Sequence, residues 1–285
     1  MLGIIGGSGI YNLPGLEVIQ ETMVDTPFGS PSAPLMQGRY GENEDVVFLP
    51  RHGASHQFLP HEVNYRANIW ALKKIGVTRI IGISAVGSLR HELKPGDLCI
   101  PDQYFDFVKG NREKSFFGDG IAAHISTAEP TCPTLSKALS DVGHELDIQV
   151  HTGATYGCVD GPRLGTRAES FFLKNAAACD LVGMTNVPEA FLAREAQICY
   201  CTIGVVTDYD CWMDDPKQHV SVEQVFSRFG KSLEKAKRLL GGFLDQGSQT
   251  IEGGCGCRQS LQSAVLTPED ALSEEKRELL GVLKQ

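Results

Sequence analysis

The sequence predicts an α/β fold, because apolar strand-like runs alternate with amphipathic, helix-like stretches along most of the chain. Its 285 residues, 42% of them hydrophobic, can bury one sizeable core and lie near the upper limit for a single domain. The composition changes after residue 246, where a glycine- and cysteine-containing segment precedes helix-capping patterns. We therefore expect one domain over residues 1–246 and an attached tail over residues 247–285.

Charge and hydropathy exclude several classes of partner. With a formal net charge of −9 and a pI near 5.4, the chain lacks the basic surface that nucleic-acid binding requires. No apolar run approaches the ~20 residues that span a bilayer, and the start lacks the basic region of a signal peptide. We expect a cytoplasmic protein that binds neither nucleic acid nor membranes, with most of its nine cysteines reduced and buried.

Each predicted element has its own local signal. Strands are predicted where apolar, β-branched runs are bounded by turn residues, at residues 2–5, 45–50, 78–84, 98–101, 150–159, 181–185 and 198–207. Helices are predicted where apolar residues recur at helical spacing, at residues 60–75, 135–146, 166–178, 187–196 and 221–244. The last strand is almost wholly apolar, which is typical of a strand buried on both faces.

Three of these strands end in residues that suit an anion. The first leads into a glycine-rich loop with Ser8, where backbone N–H groups can approach an anion closely. The second is followed by Arg51 and His52, which offer donors for phosphate, and His52 could also take a proton. The third ends at Ser84 and Ala85, whose small side chains leave the backbone accessible. The loop with Ser8 matches neither a dinucleotide fingerprint nor a P-loop, so the alternative is that Ser8 only completes a turn. The alternative for Arg51 is a position on the surface.

Two acids, Asp208 and Asp210, directly follow the last strand. Ligands of open α/β sheets bind beyond the carboxyl ends of strands, although acids in this position can also cap the next helix. The strand before it ends at Met184 and Thr185, and a methionine there can pack against a ring or belong to the core. Glu189 lies near the start of the following helix, where a carboxylate suits the helix dipole.

The tail contains a Cys-x-Cys pair, Cys255 and Cys257. Such a pair can form a strained disulfide or supply two thiolates to a metal. No second cysteine pair or histidine cluster lies nearby in the sequence, so we expect two free thiols and no bound metal. Earlier in the chain, the polar stretch that leads to His124 predicts a long loop at a contact between subunits.

Several motifs in combination resemble one known family. They are RHG at residues 51–53, SAVGS at 84–88, GPR at 161–163, MTNVPE at 184–189 and TDYDCW at 207–212. From residue 3 to about residue 242, the chain resembles the 5′-methylthioadenosine phosphorylases of the trimeric purine nucleoside phosphorylase group. The resemblance implies a single-domain mixed β-sheet flanked by helices, with the tail packed on the same domain. It also implies a homotrimer, with a dimer of trimers as the alternative.

The resemblance further implies roles for particular residues. Six of them would bind phosphate: Ser8, Arg51, His52, Ser84, Ala85 through its backbone, and Thr185. Met184 would lie under the ribose, with the nucleoside between the phosphate and the acids, and His52, Asp208 and Asp210 would be catalytic. Phosphate would be the second substrate and no metal or organic cofactor would be needed, because the protein's tasks are positioning and electrostatic stabilisation.

The acids indicate which base is released. Adenine protonated at N7 presents hydrogen-bond donors at N6 and N7, and an ionised carboxylate only accepts hydrogen bonds. Asp208 is therefore expected to select 6-aminopurines and to protonate N7, with support from Asp210. The 5′-methylthio group would contact residues of the last long helix and a histidine of a neighbouring subunit: Val222, Val225, Phe226 and His124. This chain has Leu164 and Gly165 where the family has an aromatic residue and a serine, which leaves base stacking and one hydrogen bond open.

The sequence thus predicts phosphorolysis of 5′-methylthioadenosine to adenine and 5-methylthioribose 1-phosphate. Three alternatives stay open at this point. The first is a phosphorylase for 6-oxopurine nucleosides or methylthioinosine, the second is a nucleosidase that uses water, and the third is a nucleoside-binding protein without catalysis.

Overall fold

The computed structural model describes residues 1–7, 10, 13–41, 44–215, 222–247 and 254–285, without the side chains of residues 222, 224–227 and 231. Within this part, nine strands form one sheet: β1 (Leu2–Gly6), β2 (Leu16–Thr22), β3 (Leu35–Tyr40), β4 (Glu44–Pro50), β5 (Arg79–Ser88), β6 (Leu98–Asp106), β7 (Val150–Cys158), β8 (Leu181–Gly183) and β9 (Cys199–Asp208). The α-helices are α1 (Tyr65–Lys74), α2 (Pro133–Glu145), α3 (Arg167–Phe171), α4 (Asn186–Glu195), α5 (Val222–Asp245) and α6 (Glu274–Leu283). A π-helical turn, Phe172–Ala176, extends α3.

The sheet is mixed and partly closed on itself. Its strand order is β2-β3-β4-β1-β5-β8-β7-β6-β9, and β9 also pairs with β5. This additional pairing closes the last five strands of that order into a ring. β1 runs parallel to β4 and β5, and β5 runs parallel to β9, whereas β8 runs antiparallel to β5. The predicted α/β class with a mixed sheet is confirmed.

The pairing register brings several strand ends to one place. The C-terminal ends of β1, β4, β5 and β9 lie at the same edge because these strands are parallel. Gly87 of β5 is the register partner of both Val182 in β8 and Asp208 in β9. A Cβ atom at Gly87 would lie 3.0 Å from Oδ1 of Asp208, so glycine allows the two strands to approach closely here. The residues that follow these strands therefore meet at one edge of the sheet.

Helices cover both faces of the sheet and bury apolar residues against it. On one face, α1, α4 and α6 contribute Ile69, Leu192 and Leu283 to a continuous core. On the other face, α2 and α5 contribute Leu139 and Leu240. All ten residues of β9 are buried, as its apolar sequence predicts. None of the described helices has the length and apolar character needed to cross a membrane.

Sequence patterns do not predict β2 and β3, and some elements begin or end at other residues than predicted. β2 is an edge strand that leaves Ile19 62% exposed, and a strand with so little burial has no strong alternation of apolar and polar residues. β5 continues to Ser88 rather than ending at Ser84, because its last residues pair with β8 and β9. α1 begins at Tyr65, after Asn64 caps it, rather than at residue 60.

All nine cysteines lie in the described part of the chain, and each is a free thiol. Eight of them are buried and Cys255 is half-buried, in agreement with the expectation of reduced core cysteines. The fold brings Cys132 and Cys199 close to Cys255 and Cys257, which the spacing of these cysteines in the sequence does not indicate.

Residues 254–285 pack against the main body of the chain. Helix α6 buries Leu279, Leu280 and Leu283 in the core that α1 lines. The backbone N–H of Leu261 donates to the side-chain oxygen of Gln197 at 3.2 Å. We propose that this tail folds together with the domain over residues 1–246.

Truncation of Leu283, which is fully buried, tests that proposal. Leu283→Ala should lower the free energy of unfolding by about 2–5 kcal/mol, because it removes buried apolar contacts and leaves a cavity. Urea denaturation followed by fluorescence measures the change. The control is Leu266→Ala in the same tail, where the side chain is 61% exposed, and it should stay within about 0.5 kcal/mol of the unsubstituted chain. An unchanged main transition in Leu283→Ala would mean that the tail unfolds separately.

Candidate active site

A cavity of about 450 Å³ lies at the edge where the strand ends meet, and we call it the strand-end cavity. Its volume is in the range of small-molecule sites. Eight of the residues singled out in the sequence line it: Arg51, His52, Ser84, Ala85, Met184, Thr185, Asp208 and Asp210. These residues follow β4 and β8, end or follow β9 or, for Ser84 and Ala85, lie within β5, and the register of the sheet brings these distant parts of the sequence together.

The other predicted site residues are not placed at this cavity. Ser8 lies outside the described residues, as do the side chains of Val222, Val225 and Phe226. His124 is exposed and does not line the cavity of its own chain, and its backbone N–H donates to Ala264. Its expected role required a neighbouring subunit, so it stays a prediction.

Arg51 is 1% exposed and is bound by an acid that the sequence analysis assigned only to the helix dipole. Its Nε and Nη2 donate to the two carboxylate oxygens of Glu189 at 2.6 and 2.8 Å. Nη1 donates to the carbonyl of Ile83 at 2.9 Å, and Nη2 also donates to that of Ile5 at 3.4 Å. These bonds use four of the five N–H donors of a guanidinium, which leaves one on Nη1 for a ligand. The alternative that Arg51 lies on the surface is wrong.

A buried chain of hydrogen bonds fixes Glu189 from the other side. The Tyr200 hydroxyl donates to Oε1 of Glu189 at 2.8 Å, and the Thr202 hydroxyl donates to Tyr200 at 2.8 Å. Nδ2 of Asn186 in turn donates to Thr202 at 2.7 Å. Every group in this chain has a donor or acceptor partner, so the carboxylate that binds Arg51 is held in one position.

Asn186 also connects this network to two predicted phosphate ligands. Its Oδ1 accepts hydrogen bonds from the hydroxyls of Ser84 at 3.3 Å and Thr185 at 3.5 Å. Both distances are long for a hydroxyl donor. Either hydroxyl can therefore turn its proton to an anion in the strand-end cavity at little cost. Thr185 reaches this position because β8 runs antiparallel to β5 and ends beside it.

His52 is neutral at physiological pH. Burial, and secondarily the charge of Arg51, lower its pKa to about 4. Its Nδ1 lies 2.9 Å from the carbonyl oxygen of Phe58, so in the neutral ring Nδ1 carries the proton and donates to that carbonyl. Nε2 is then an acceptor, which suits a hydrogen phosphate that still carries a proton. His56, which the sequence analysis did not single out, stacks on His52 with the ring centroids 4.7 Å apart.

Asp208 lines the strand-end cavity and is 2% exposed. Burial raises its pKa to about 6, although two hydrogen bonds favour the ionised form. They come from the Thr207 hydroxyl at 2.6 Å and from the Asp210 backbone N–H at 2.7 Å. Asp210 adopts a left-handed backbone conformation with φ of 51°, which bends the chain directly after β9. Both acids thus remain at the cavity and do not act as helix caps at its edge.

The pairing of β5 with β9 sets the distance between Ser84 and Asp208. Ser84 pairs with Gly204 and Gly87 pairs with Asp208, so Asp208 lies three residues further along the sheet than Ser84. At about 3.3 Å per residue this is roughly 10 Å. The spacing fits a sugar between an anion at Ser84 and a base at Asp208.

Apolar residues complete the strand-end cavity, and sequence patterns gave no functional signal for most of them. Phe58, Leu59, Pro60 and Phe229 line it together with His56. Phe58, Leu59 and Pro60 belong to the loop after β4, and Phe229 belongs to α5. None of these residues is part of a polar motif at the end of a strand.

Leu164 and Gly165 also line this cavity, so the departure from the family pattern lies at the site itself. A second cavity of about 140 Å³ shares Gly165 and Asp210 with the first. Gly165 has no side chain that could fill the space between them.

Comparison with known proteins agrees with this geometry. A model of the family described as the Phosphorylase superfamily matches residues 1–244. The S-methyl-5′-thioadenosine phosphorylase of Geobacter sulfurreducens is 43% identical over 99% of this chain and 97% of its own length. A crystal structure of methylthioadenosine phosphorylase from an antarctic soil metagenomic library has a TM-score of 0.92 at 40% identity, covering 99% of this chain and 98% of that one. A mutant adenosine/methylthioadenosine phosphorylase of Schistosoma mansoni, solved in complex with methylthioadenosine, has a TM-score of 0.83 at 36% identity, covering 95% and 99%.

The pairing of Arg51 with Glu189 predicts a large stability effect. Glu189→Gln should lower the free energy of unfolding by about 3–5 kcal/mol, because it leaves a buried guanidinium without a counter-charge. Thermal and urea denaturation at pH 7 measure the loss.

The matched control for that variant is Glu195→Gln in the same helix. Glu195 is 7% exposed, and its described partners are the Ser115 hydroxyl and the Phe116 backbone N–H. This control should cost less than about 1.5 kcal/mol, because it breaks hydrogen bonds without stranding a charge. Equal losses in the two variants would contradict the assigned role of Glu189.

Proposed function

This chain belongs to the Phosphorylase superfamily, and from that premise we propose that it cleaves S-methyl-5′-thioadenosine with phosphate. The products are adenine and 5-methylthioribose 1-phosphate. The named relatives above, which act on or bind this nucleoside, support the choice of substrate. The observation that carries the proposal is the strand-end cavity, which has the hydrogen-bond donors of Arg51, Ser84 and Thr185 at one end of a sugar-sized space and buried acids at the other.

Phosphate binds at the end that Arg51, Ser84 and Thr185 line. Arg51 contributes the N–H that its bonds to Glu189 and the two carbonyls leave unused, and the two hydroxyls turn their protons toward the phosphate oxygens. The backbone of Ala85 adds a further contact, as the family resemblance implies. Neutral His52 accepts a hydrogen bond from hydrogen phosphate at Nε2, which orients the phosphate so that an unprotonated oxygen can attack. Because these groups are fixed before phosphate arrives, little reorganisation accompanies binding.

The purine binds at the end that Asp208 and Asp210 line. Phosphate attacks C1′ as the bond to the base breaks, so negative charge develops on the purine. A carboxyl with a pKa of about 6 is protonated in roughly a tenth of molecules at pH 7, and it can donate that proton to N7. Once ionised, Asp208 accepts hydrogen bonds from the N6 amino group and N7–H of adenine.

The apolar part of the cavity accommodates the methylthio group. Phe229 of α5 lines the cavity, and Val222, Val225 and Phe226 precede it at the spacings that place residues on one helix face. Contact of these three residues and of a neighbouring subunit's histidine, corresponding to His124, with the 5′ substituent stays a prediction. So does the position of Met184 under the ribose, although Met184 lines the cavity.

The remaining features of the activity are also proposals. We propose a cytoplasmic homotrimer, or a dimer of trimers, that serves purine and methionine salvage. The reaction itself needs no metal or organic cofactor, because phosphate is the nucleophile and the protein supplies position and electrostatics.

Phosphate dependence separates phosphorolysis from hydrolysis. Purified protein should release adenine from methylthioadenosine only when phosphate is present, with methylthioribose 1-phosphate formed in equal amount. Chromatography with and without phosphate, in a phosphate-free buffer otherwise, measures both products. Equal rates in the two conditions would identify a nucleosidase, and no adenine in either would identify a binding protein.

Substitution of the acid tests the choice of base. Asp208→Asn should lower kcat/KM for methylthioadenosine by about 10²–10⁴-fold, because the variant has no carboxyl that can protonate N7. The matched control is Asp45→Asn, which changes an exposed acid outside the strand-end cavity and should leave kcat/KM unchanged. For a 6-oxopurine or methylthioinosine phosphorylase, Asp208→Asn would leave turnover of the preferred substrate nearly intact.

A further inference from the structure

Four cysteines from three segments of the chain meet in one place outside the strand-end cavity. They form what we call the four-cysteine cluster: Cys132, Cys199, Cys255 and Cys257. Cys132 directly precedes α2, Cys199 begins β9, and the other two belong to the tail. Their four sulfur atoms all lie within 4.8 Å of one another, and the sulfurs of Cys199 and Cys255 are 3.5 Å apart. Three of the four residues are buried and Cys255 is half-buried.

These distances fit coordination of a metal better than covalent pairing. Zinc in structural sites is bound tetrahedrally by four ligands at about 2.3 Å, which places the sulfurs of a four-thiolate site about 3.8 Å apart. The Cys199–Cys255 separation of 3.5 Å is close to this value, and none of the other separations exceeds 4.8 Å. A disulfide would need two sulfurs at about 2.05 Å, whereas each of the four is a free thiol here.

The surroundings of the cluster favour thiolates, which are the form that binds metals. Nη1 of Arg194 donates to the sulfur of Cys257 at 3.0 Å. Cys132 occupies the position before a 13-residue helix, whose N-terminus favours negative charge. A zinc ion with four thiolates carries a charge of −2, which the Arg194 guanidinium partly offsets.

We propose that the four-cysteine cluster binds one Zn²⁺ ion in a closed, structural site. Binding converts four thiols to thiolates and releases four protons to solvent, with no oxidation of sulfur. All four coordination positions are taken by protein, so the ion has no open position for substrate and is not part of the reaction. None of the four cysteines, all in the described part of the chain, lines the strand-end cavity. The proposal is therefore independent of the proposed function.

The site would attach the tail to the main body at a second point. Helix α6 already packs on the core, and the Ser260 hydroxyl donates to the carbonyl of Arg194 at 2.6 Å. A zinc site at Cys255 and Cys257 would fix the beginning of the tail as well, against β9 and the start of α2. The sequence predicted two free thiols and no metal, because no second cysteine pair lies near Cys255 and Cys257 in the chain; Cys199 lies 56 residues before Cys255.

Metal content of the full-length chain tests the proposal directly. Protein purified under reducing conditions from zinc-supplemented cells, then dialysed without chelator, should contain about one zinc per chain by elemental mass spectrometry. The double variant Cys255→Ser/Cys257→Ser should contain less than about a tenth of that, because two thiolates seldom hold zinc alone. The control is Cys179→Ser, which changes a buried thiol outside the cluster and should keep the full zinc content.

A second measurement keeps the proposal testable if the double variant does not fold. Extraction of zinc with a chelator should lower the Tm of the unsubstituted chain by more than about 2 °C, since the ion binds only the folded state. Re-addition of Zn²⁺ should restore the Tm, and Co²⁺ in its place should give the visible absorption of tetrahedral cobalt thiolate.

Three results would overturn the proposal. One is an unsubstituted chain that retains less than about a tenth of a zinc after dialysis against Zn²⁺ under reducing conditions. Another is iron in place of zinc. The third is an intact mass lower by four hydrogens in protein purified without oxygen, which would show two disulfides among the four cysteines.

Discussion

Charged groups lose hydration when they are buried, so each needs a partner or a shifted pKa. Arg51 meets this constraint through Glu189, which binds its guanidinium with two hydrogen bonds. Glu189 in turn depends on Tyr200 and the buried hydroxyl and amide groups behind it. Compensation of one buried charge thus fixes the positions of β4, α4 and β9 relative to one another. It also holds Arg51 in place at the end of the strand-end cavity that we propose binds phosphate.

Asp208 meets the same constraint through its pKa. Burial raises that pKa to about 6, close to neutral pH, so either protonation state is accessible there at small cost. The two ends of the cavity therefore differ in kind: one holds a compensated, permanently charged pair and the other a titratable acid. Because Ser84 and Gly87 belong to the same strand, β5 fixes the spacing between the ends.

Sequence patterns predicted the elements whose burial leaves a clear pattern of apolar residues along the chain, such as β9 and the long helices. β2 was missed because an exposed edge strand has no such pattern, and β3 beside it buries only Leu35 and Gly38. The polar residues at strand ends were also found, since position after a strand is a local property. Glu189 was not recognised as the partner of Arg51, because 138 residues separate the two. In addition, the helix dipole already explains a carboxylate near the start of a helix. Cys132 and Cys199 join Cys255 and Cys257 only in the fold, so no local spacing could reveal the cluster.

The central claim is that a buried acid, Asp208, recognises the amino edge of a purine whose sugar is attacked by phosphate at the opposite end of one cavity. The ratio of kcat/KM for methylthioadenosine and methylthioinosine, at saturating phosphate, tests it most directly. We predict a ratio of at least about 100, equivalent to about 2.7 kcal/mol, because an ionised carboxylate facing O6 would lose its donors and meet a second acceptor. A ratio near one, or a preference for methylthioinosine, would contradict the account.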